Sequence, residues 1–131
     1  MTQVIDDYDA IAAVVQLYFD GMADGDRAKL EQAFHADARM FGAIRGARVD
    51  MGMEPFFKMS VKSPMNKAGT YRARILSVDQ VGDVAVAAVA EDGCWGGVSF
   101  VDYLSLARID GGWKIVNKVF AHTGGEMPGR S

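Results

Sequence analysis

The chain has little of what would assign it quickly to a functional class. Its 131 residues include one cysteine, Cys94, which excludes an intrachain disulfide framework and favours a reducing compartment. Its net charge is -3 and it contains no run of Lys or Arg, so a nucleic acid partner is not expected. No segment has the length of a membrane span, and the acidic N-terminus MTQVIDDYDA does not resemble a signal peptide. These absences predict a cytoplasmic protein without a nucleic acid or membrane partner.

Metal-ligating residues are also sparse. The two histidines, His35 and His122, are far apart, and neither a His-x-x-x-His motif nor a cysteine pair occurs. Cys94 has no adjacent base in the sequence, which favours an inert thiol over a reactive one. We therefore expect no metal site and no cofactor.

Length and composition predict one domain. Half of the 131 residues are hydrophobic, enough for one packed core, and there is no linker or repeat. We place this domain at residues 1–123. The remaining residues, 124–131, read GGEMPGRS and are expected to form a flexible tail.

The first half of the chain has helical periodicity. A helix is predicted from Asp6, as its N-cap, to Gly25, and Asp26 can cap a second, short helix. A strand follows over Ala38–Ile44, with a turn at Arg45-Gly46. A third helix begins near Pro55, where the missing N–H is harmless, and ends at Ser63-Pro64. The apolar face of the first helix comprises Ile11, Val14, Val15, Tyr18, Phe19 and Met22.

The second half alternates between apolar and polar residues. Four antiparallel strands are predicted: Tyr71–Asp79, Val84–Glu91, Val98–Ile109 and Trp113–His122. The VAVAAVA run in the second of these is apolar enough to be covered on both faces. Three helices before a mainly antiparallel sheet predict an α+β fold, with the helices packed on one face of a strongly curved sheet.

This order of elements, with the string VDYLSLARIDGGWKIVNKVF at Val101 to Phe120, resembles the nuclear-transport-factor-2-like superfamily and its lumazine-binding branch. More distantly, the chain is similar to SnoaL-like proteins. The resemblance implies a cystatin-like conical α+β barrel, commonly a homodimer through the convex sheet face. It also implies a pocket between the concave face and the helices. It does not fix a function, because this fold carries both enzymes and noncatalytic binding modules.

The stretch VVQLYFDGMADGD also resembles the start of steroid delta-isomerases. In that family a helix tyrosine and a late-strand aspartic acid form an oxyanion hole, and the matching positions are Tyr18 and Asp102. The family's catalytic base falls at Gly42 when FHADARMFG is aligned. Because glycine cannot carry the proton, isomerase activity is not expected.

Asp102 is the main candidate for a site residue. Alternation places it on one strand face with Val98, Phe100, Leu104 and Leu106. A carboxylate among aliphatic neighbours must pair, accept hydrogen bonds or stay protonated. It can be a polar anchor in an apolar pocket, or a structural acid satisfied by a backbone amide or a lysine.

The other candidates depend on which way their side chains point. If Lys118 and His122 face inward on the last strand, they lie near Asp102; otherwise they lie on a solvated rim. Tyr18 is either a pocket residue or a core tyrosine, and Trp95 either stacks on a flat ligand or covers a hydrophobic gap. The expected lining residues are Tyr18, Phe41, Trp95, Phe100, Asp102, Lys118 and Phe120, with Asp102 and His122 as the candidates for catalysis.

Three functions remain open from the sequence. The first is a small-molecule-binding domain with an apolar cavity for a modest hydrophobic or aromatic ligand. The second is an isomerase, dehydratase or cyclase that uses Asp102 or His122 for proton transfer. The third is a noncatalytic dimeric interaction module whose cone is filled by phenylalanines.

Overall fold

The computed structural model describes residues 4–127. Within this range the chain forms three helices and one six-stranded sheet. In chain order the elements are α1 (Val4–Asp24), α2 (Arg27–Ala33), β1 (Phe34–Ile44), β2 (Ala47–Gly52), α3 (Met53–Lys62), β3 (Arg72–Val81), β4 (Val84–Cys94), β5 (Val98–Ile109) and β6 (Gly112–Gly124). The predicted α+β class is confirmed.

The sheet has the strand order β2-β1-β6-β5-β4-β3. Every neighbouring pair is antiparallel except β1 and β6, which are parallel. Strands β2 and β3 are open edges, so the curved sheet does not close into a complete barrel. Strand β2 is the element that the sequence-based prediction missed.

Helices α1 and α2 form the expected hairpin. The sequence predicted Asp6 as the N-cap of α1. In the structure α1 starts at Val4, so Asp6 lies within its first turn instead. The helix ends before Gly25, whose φ of +65° is one that glycine adopts readily. Asp26 then caps α2 as predicted, because its carboxylate accepts a hydrogen bond from the backbone N–H of Lys29 at 3.2 Å.

The core lies between the helices and the inner face of the sheet. Four rings from three elements meet there with centroids 5.5 to 6.1 Å apart, in edge-to-face or tilted arrangements. They are Tyr18 of α1, Phe34 of β1, and Phe56 and Phe57 of α3. This aromatic cluster fixes α1 and α3 over the middle of the sheet.

Strand β4 is covered on one face only. Ala85, Ala87 and Val89 point to the core, whereas Val84 is 57% exposed and Val86 39% exposed. The prediction that the VAVAAVA run is buried on both faces is therefore wrong for the single chain. The outer face of the sheet also exposes Tyr103, and it is the face expected for a homodimer, which stays a prediction.

A bulge decides which side chains of β6 face inward. Ser105 pairs with Asn117 but Leu106 pairs with Ile115, so Val116 is an extra residue on β6. After the bulge Lys118 points into the core, where it is 4% exposed. Ile115 and Lys118 therefore both point inward, although they are three residues apart on the strand.

Strand β6 extends to Gly124, and Met127 beyond it packs against the core. The backbone carbonyl of Met127 accepts a hydrogen bond from the Arg45 guanidinium at 2.7 Å. The last residues of the predicted tail, 128–131, lie outside the described residues.

None of the helices within residues 4–127 is both long enough and apolar enough to cross a bilayer. The cytoplasmic location stays a prediction.

Candidate functional site

Two acids lie side by side on the inner face of the sheet. Asp102 on β5 is 1% exposed and Glu91 on β4 is fully buried. Their strands are adjacent, and Asp102 pairs with Val89, two residues from Glu91. We call Glu91 and Asp102 the acid pair.

Two phenols hold the acid pair in place. The hydroxyl of Tyr18 lies 2.6 Å from Asp102 Oδ2 and 3.1 Å from Glu91 Oε1, and Tyr71 donates to Glu91 Oε2 at 2.7 Å. Because a phenol carries one hydrogen, Tyr18 donates along its shorter contact, to Asp102. Burial raises the pKa of Tyr18 well above its usual value, with the charge of Asp102 as the next cause. Tyr18 therefore remains a donor.

Glu91 is protonated at neutral pH, because its pKa lies above 7. Several causes together raise the pKa of Glu91 to about 8. Burial is the largest, the negative charge of Asp102 also raises the pKa, and the positive charge of Lys118 lowers it. A protonated Glu91 can donate a hydrogen bond to Asp102, and this also favours the protonated form. Among the described residues, no fixed donor reaches Asp102 Oδ1, so protonated Glu91 is the natural partner for this buried oxygen.

Lys118 brings a positive charge to the same region. Its Nζ lies over three aromatic rings, 4.8 Å from the centroid of Phe56, 5.1 Å from that of Tyr18 and 5.6 Å from that of Phe120. Across residues 4–127, no carboxylate oxygen lies within 4.0 Å of Nζ. The ammonium is thus stabilised by ring faces and by the nearby negative charge rather than by a direct ion pair.

A cavity opens on the other side of Lys118. It has a volume of about 50 Å³ and lies between α1, α3 and the inner face of the sheet. Lys118 supplies the one charge in a wall that is otherwise aromatic, aliphatic, methionine or serine. The lining residues are Met22, Met40, Ile44, Phe56, Met59, Ser60, Ser63, Met65, Trp95, Phe100, Lys118 and Phe120.

Trp95 forms part of the cavity mouth and is held in place by hydrogen bonds. It follows β4 with a φ of +51°, and its backbone N–H donates to Met65 O at 2.8 Å. Its indole Nε1 donates to Ser63 O at 2.9 Å, and its ring meets Phe100 edge-on with the centroids 5.9 Å apart. One wall is therefore a fixed, flat aromatic surface.

The sequence from residue 6 to residue 121 matches the model of a family described as "Putative lumazine-binding". The chain belongs to this family. This confirms the resemblance, and the match runs from the third residue of α1 to Ala121 near the end of β6.

Comparison with solved structures shows that the chain has an NTF2-like fold. It is 30% identical to an NTF2-like protein of unknown function from Silicibacter pomeroyi, with a TM-score of 0.84 over 94% of this chain and 100% of that one. A domain of unknown function with a cystatin-like fold from Nostoc punctiforme shares the fold at 14% identity, with a TM-score of 0.69 over 95% and 81% of the two chains. Among curated proteins, the chain is similar to Aldolase FrzH of Cladobotryum sp., with 24% identity over 114 residues, 87% of this chain and 90% of that one. The family and its NTF2-like relatives support a ligand-binding domain.

Some of the predicted site residues line the cavity, and others lie behind its wall. Trp95, Phe100, Lys118 and Phe120 line the cavity. Tyr18 and Asp102 lie behind it, hydrogen-bonded to each other, and they touch the cavity region through Lys118. The charged residue that lines the cavity is therefore Lys118, not Asp102.

Phe41 does not line the cavity, and His122, a candidate for catalysis, is bound by the backbone at the end of the last strand. Phe41 lies on the outer face of the sheet because its neighbour Met40 points inward. The His122 ring packs against Phe100 at 5.7 Å, and its Nε2 lies 2.9 Å and 2.6 Å from the carbonyl oxygens of Gly124 and Gly125. Two acceptors around Nε2 require a hydrogen on it, so this nitrogen is engaged by the backbone.

Gly42 has no room for the carboxylate that steroid isomerases carry at the aligned position. A Cβ at Gly42 would clash with the ring of Phe120, which pairs with it across β1 and β6. Phe120 thus occupies the space of the missing base. This agrees with the expectation that isomerase chemistry is not transferred.

Sequence reasoning missed Glu91 and Tyr71. The signal for Glu91 was present: Ala85, Ala87, Val89 and Glu91 alternate, so one buried face of β4 ends in an acid. Tyr71 precedes β3 and its role depends on the sheet bringing it over Glu91, which no local pattern reveals.

The described residues support neither a metal site nor a reactive thiol. No group of three or more His, Cys, Asp or Glu side chains within residues 4–127 is placed to hold an ion. Cys94 is buried, and burial raises the pKa of its thiol to about 12, with the charge of Glu91 as the next cause. The thiol is therefore protonated at neutral pH and a poor nucleophile.

Proposed function

We propose that this protein binds a modest, largely apolar or aromatic molecule in the cavity, with a carbonyl oxygen directed at Lys118. The observation that carries the proposal is the buried Lys118 ammonium in an apolar wall, with no ion-pair partner within 4.0 Å among the described residues. An ammonium has three N–H donors, and the rings around Lys118 satisfy its charge but not those donors. A ligand oxygen in the cavity would accept from one of them.

The charge balance favours a neutral acceptor over an anion. Because the pKa of Glu91 is raised to about 8, this acid is protonated at neutral pH, and the charge of Lys118 is opposed by that of Asp102 alone. A neutral carbonyl group adds a hydrogen bond without disturbing this balance. The rest of the ligand would pack on Trp95, Phe100 and the methionines, which adapt to different apolar shapes.

A second candidate is an enzyme that acts on such a carbonyl compound. The similarity to Aldolase FrzH over 87% of the chain favours it, because aldol chemistry begins at a carbonyl group. The acid pair is the structural support: a buried carboxyl group with a pKa of about 8 beside a second carboxylate can take up and release a proton near neutral pH. In the binding-domain alternative the same pair only supplies the countercharge of Lys118.

Replacing Lys118 by methionine should remove the preference for a carbonyl ligand. Acetophenone and ethylbenzene differ by the carbonyl oxygen and are otherwise close in shape, so they isolate this contact. A hydrogen bond to a charged group contributes about 1.5–3 kcal/mol, so wild type should prefer acetophenone by roughly 10- to 100-fold. Isothermal titration calorimetry on wild type and K118M measures the ratio of the two dissociation constants.

The matched control is Lys58→Met, since Lys58 is an exposed lysine on α3, the helix that supplies Phe56 to the cavity wall. K58M should keep the wild-type preference for acetophenone. A wild-type protein that binds both compounds equally, or a K118M variant that keeps the full preference, would contradict the proposal.

A further inference from the structure

We infer that Lys118 is a covalent nucleophile that forms an imine with an aldehyde or ketone bound in the cavity. The inference rests on the proposed function, because it needs a carbonyl compound to occupy the cavity. It adds a bond-forming step at a named atom, Lys118 Nζ.

Position is the first observation in its favour. Lys118 is 4% exposed, yet it is one of the residues that line the cavity. The pairing of Leu104 with Lys118 and of Asp102 with Phe120 fixes the strand that carries it beside the acid pair. Rings of α1, α3 and β6 surround Nζ at 4.8 to 5.6 Å and restrict where the amine can go. A carbonyl group that enters the cavity therefore meets an amine that is already oriented.

Freedom from a direct ion pair is the second observation. A lysine clamped by a carboxylate has its donors engaged, whereas Nζ has no carboxylate oxygen within 4.0 Å among residues 4–127. A lysine that lines an apolar pocket without such a clamp is the type of residue that forms imines with carbonyl substrates.

The step balances without a further reagent. The nitrogen lone pair attacks the carbonyl carbon, a C–N bond forms, and the carbonyl electron pair moves to oxygen, which takes the proton released by the ammonium. The resulting carbinolamine then loses its hydroxyl group with a second nitrogen proton as water, and a C=N bond forms. The ammonium and the carbonyl compound thus become a protonated imine and water. One positive charge is on nitrogen before and after, so the ring faces and Asp102 stabilise both states.

Reductive trapping with benzaldehyde tests the inference on the full-length protein. Benzaldehyde carries its carbonyl group on a small aromatic ring, and sodium cyanoborohydride reduces an imine to a stable benzylamine. The chain has six lysines, so peptide mapping by mass spectrometry compares Lys118 with five internal references. We expect Lys118 to be benzylated at least about tenfold faster than exposed Lys58, because a bound carbonyl has a high effective concentration at the amine. Acetophenone in excess should slow the labelling of Lys118 and leave that of Lys58 unchanged.

Lys118→Arg keeps the positive charge and the ring contacts but has no amine to form the imine. This variant should bind benzaldehyde in a thermal-shift assay and lose the site-specific adduct. Benzaldehyde that stabilises wild type while labelling Lys118 no faster than Lys58 would overturn the inference and leave the proposed function standing. Benzaldehyde and acetophenone that both fail to stabilise the protein would overturn the proposed function and the inference together.

Discussion

Replacing Glu91 by glutamine should abolish a loss of stability that the wild-type protein undergoes as the pH rises from about 5 to about 8. The unfolded chain releases the Glu91 proton near pH 4.5, whereas the folded chain keeps it until about pH 8. The stabilisation from this proton is complete below the unfolded pKa and is lost as the pH rises through the folded pKa. The slope is on the order of 1 kcal/mol per pH unit for one retained proton.

Glutamine reproduces the protonated form without titrating. Its carbonyl oxygen can accept from Tyr71 and its amide can donate to Asp102, so the contacts of the acid pair persist. Urea unfolding of wild type and E91Q across this pH range gives the two stability curves, and their difference cancels the titration of all groups that they share. Asp92→Asn, an exposed acid on the same strand, should follow the wild-type curve. Parallel curves for wild type and E91Q would contradict a Glu91 that is protonated at neutral pH.

Truncating Tyr18 to alanine should cost the protein most of its stability. The side chain is 0% exposed, and its ring packs between Phe19 and Phe34 and under the Lys118 ammonium. Removing a buried aromatic ring costs about 3–5 kcal/mol, and leaving Asp102 without its 2.6 Å donor adds about 1–3 kcal/mol. This sum is comparable with the whole stability of a typical domain.

Tyr18→Phe separates the two contributions, since it keeps the ring and removes only the hydroxyl. We expect Y18F to fold and to lose about 1–3 kcal/mol, the cost of the unsatisfied acid alone. Urea titration gives the free energy of unfolding of both variants. Y18A that is expressed only as insoluble protein would also agree with the prediction. A Y18A variant within 1 kcal/mol of wild type, or one no less stable than Y18F, would show that Tyr18 neither anchors the core nor satisfies the acid pair.

The fold could be predicted because its patterns are local. The three-four spacing on α1, the cap at Asp26 and the Gly111-Gly112 turn between β5 and β6 each specify an element without reference to the rest of the chain. Strand β2 also had a signal, since Ala47, Val49 and Met51 alternate with polar residues after the Arg45-Gly46 turn. It is a short edge strand whose side chains are exposed or half-buried, so its alternation is not marked by a strongly apolar face.

The site was predictable only in part because it depends on register. Asp102 and Tyr18 could be named from a buried face and a resemblance, but which residue faces the cavity depends on the Val116 bulge, which resets the alternation before Lys118. Phe41 was placed on the wrong face because the inward residue of β1 is Met40. The partnership of Glu91 with Tyr71 joins residues 20 apart through the pairing of two strands, and no sequence pattern records it.

A crystal structure with acetophenone is the most direct test of whether a carbonyl ligand is held against Lys118. The account predicts the ketone oxygen at hydrogen-bond distance from Lys118 Nζ, about 2.9 Å, with the phenyl ring among Trp95, Phe100 and the methionines. Acetophenone bound with its oxygen turned to the solvent, or bound only on the outer face of the sheet, would contradict it.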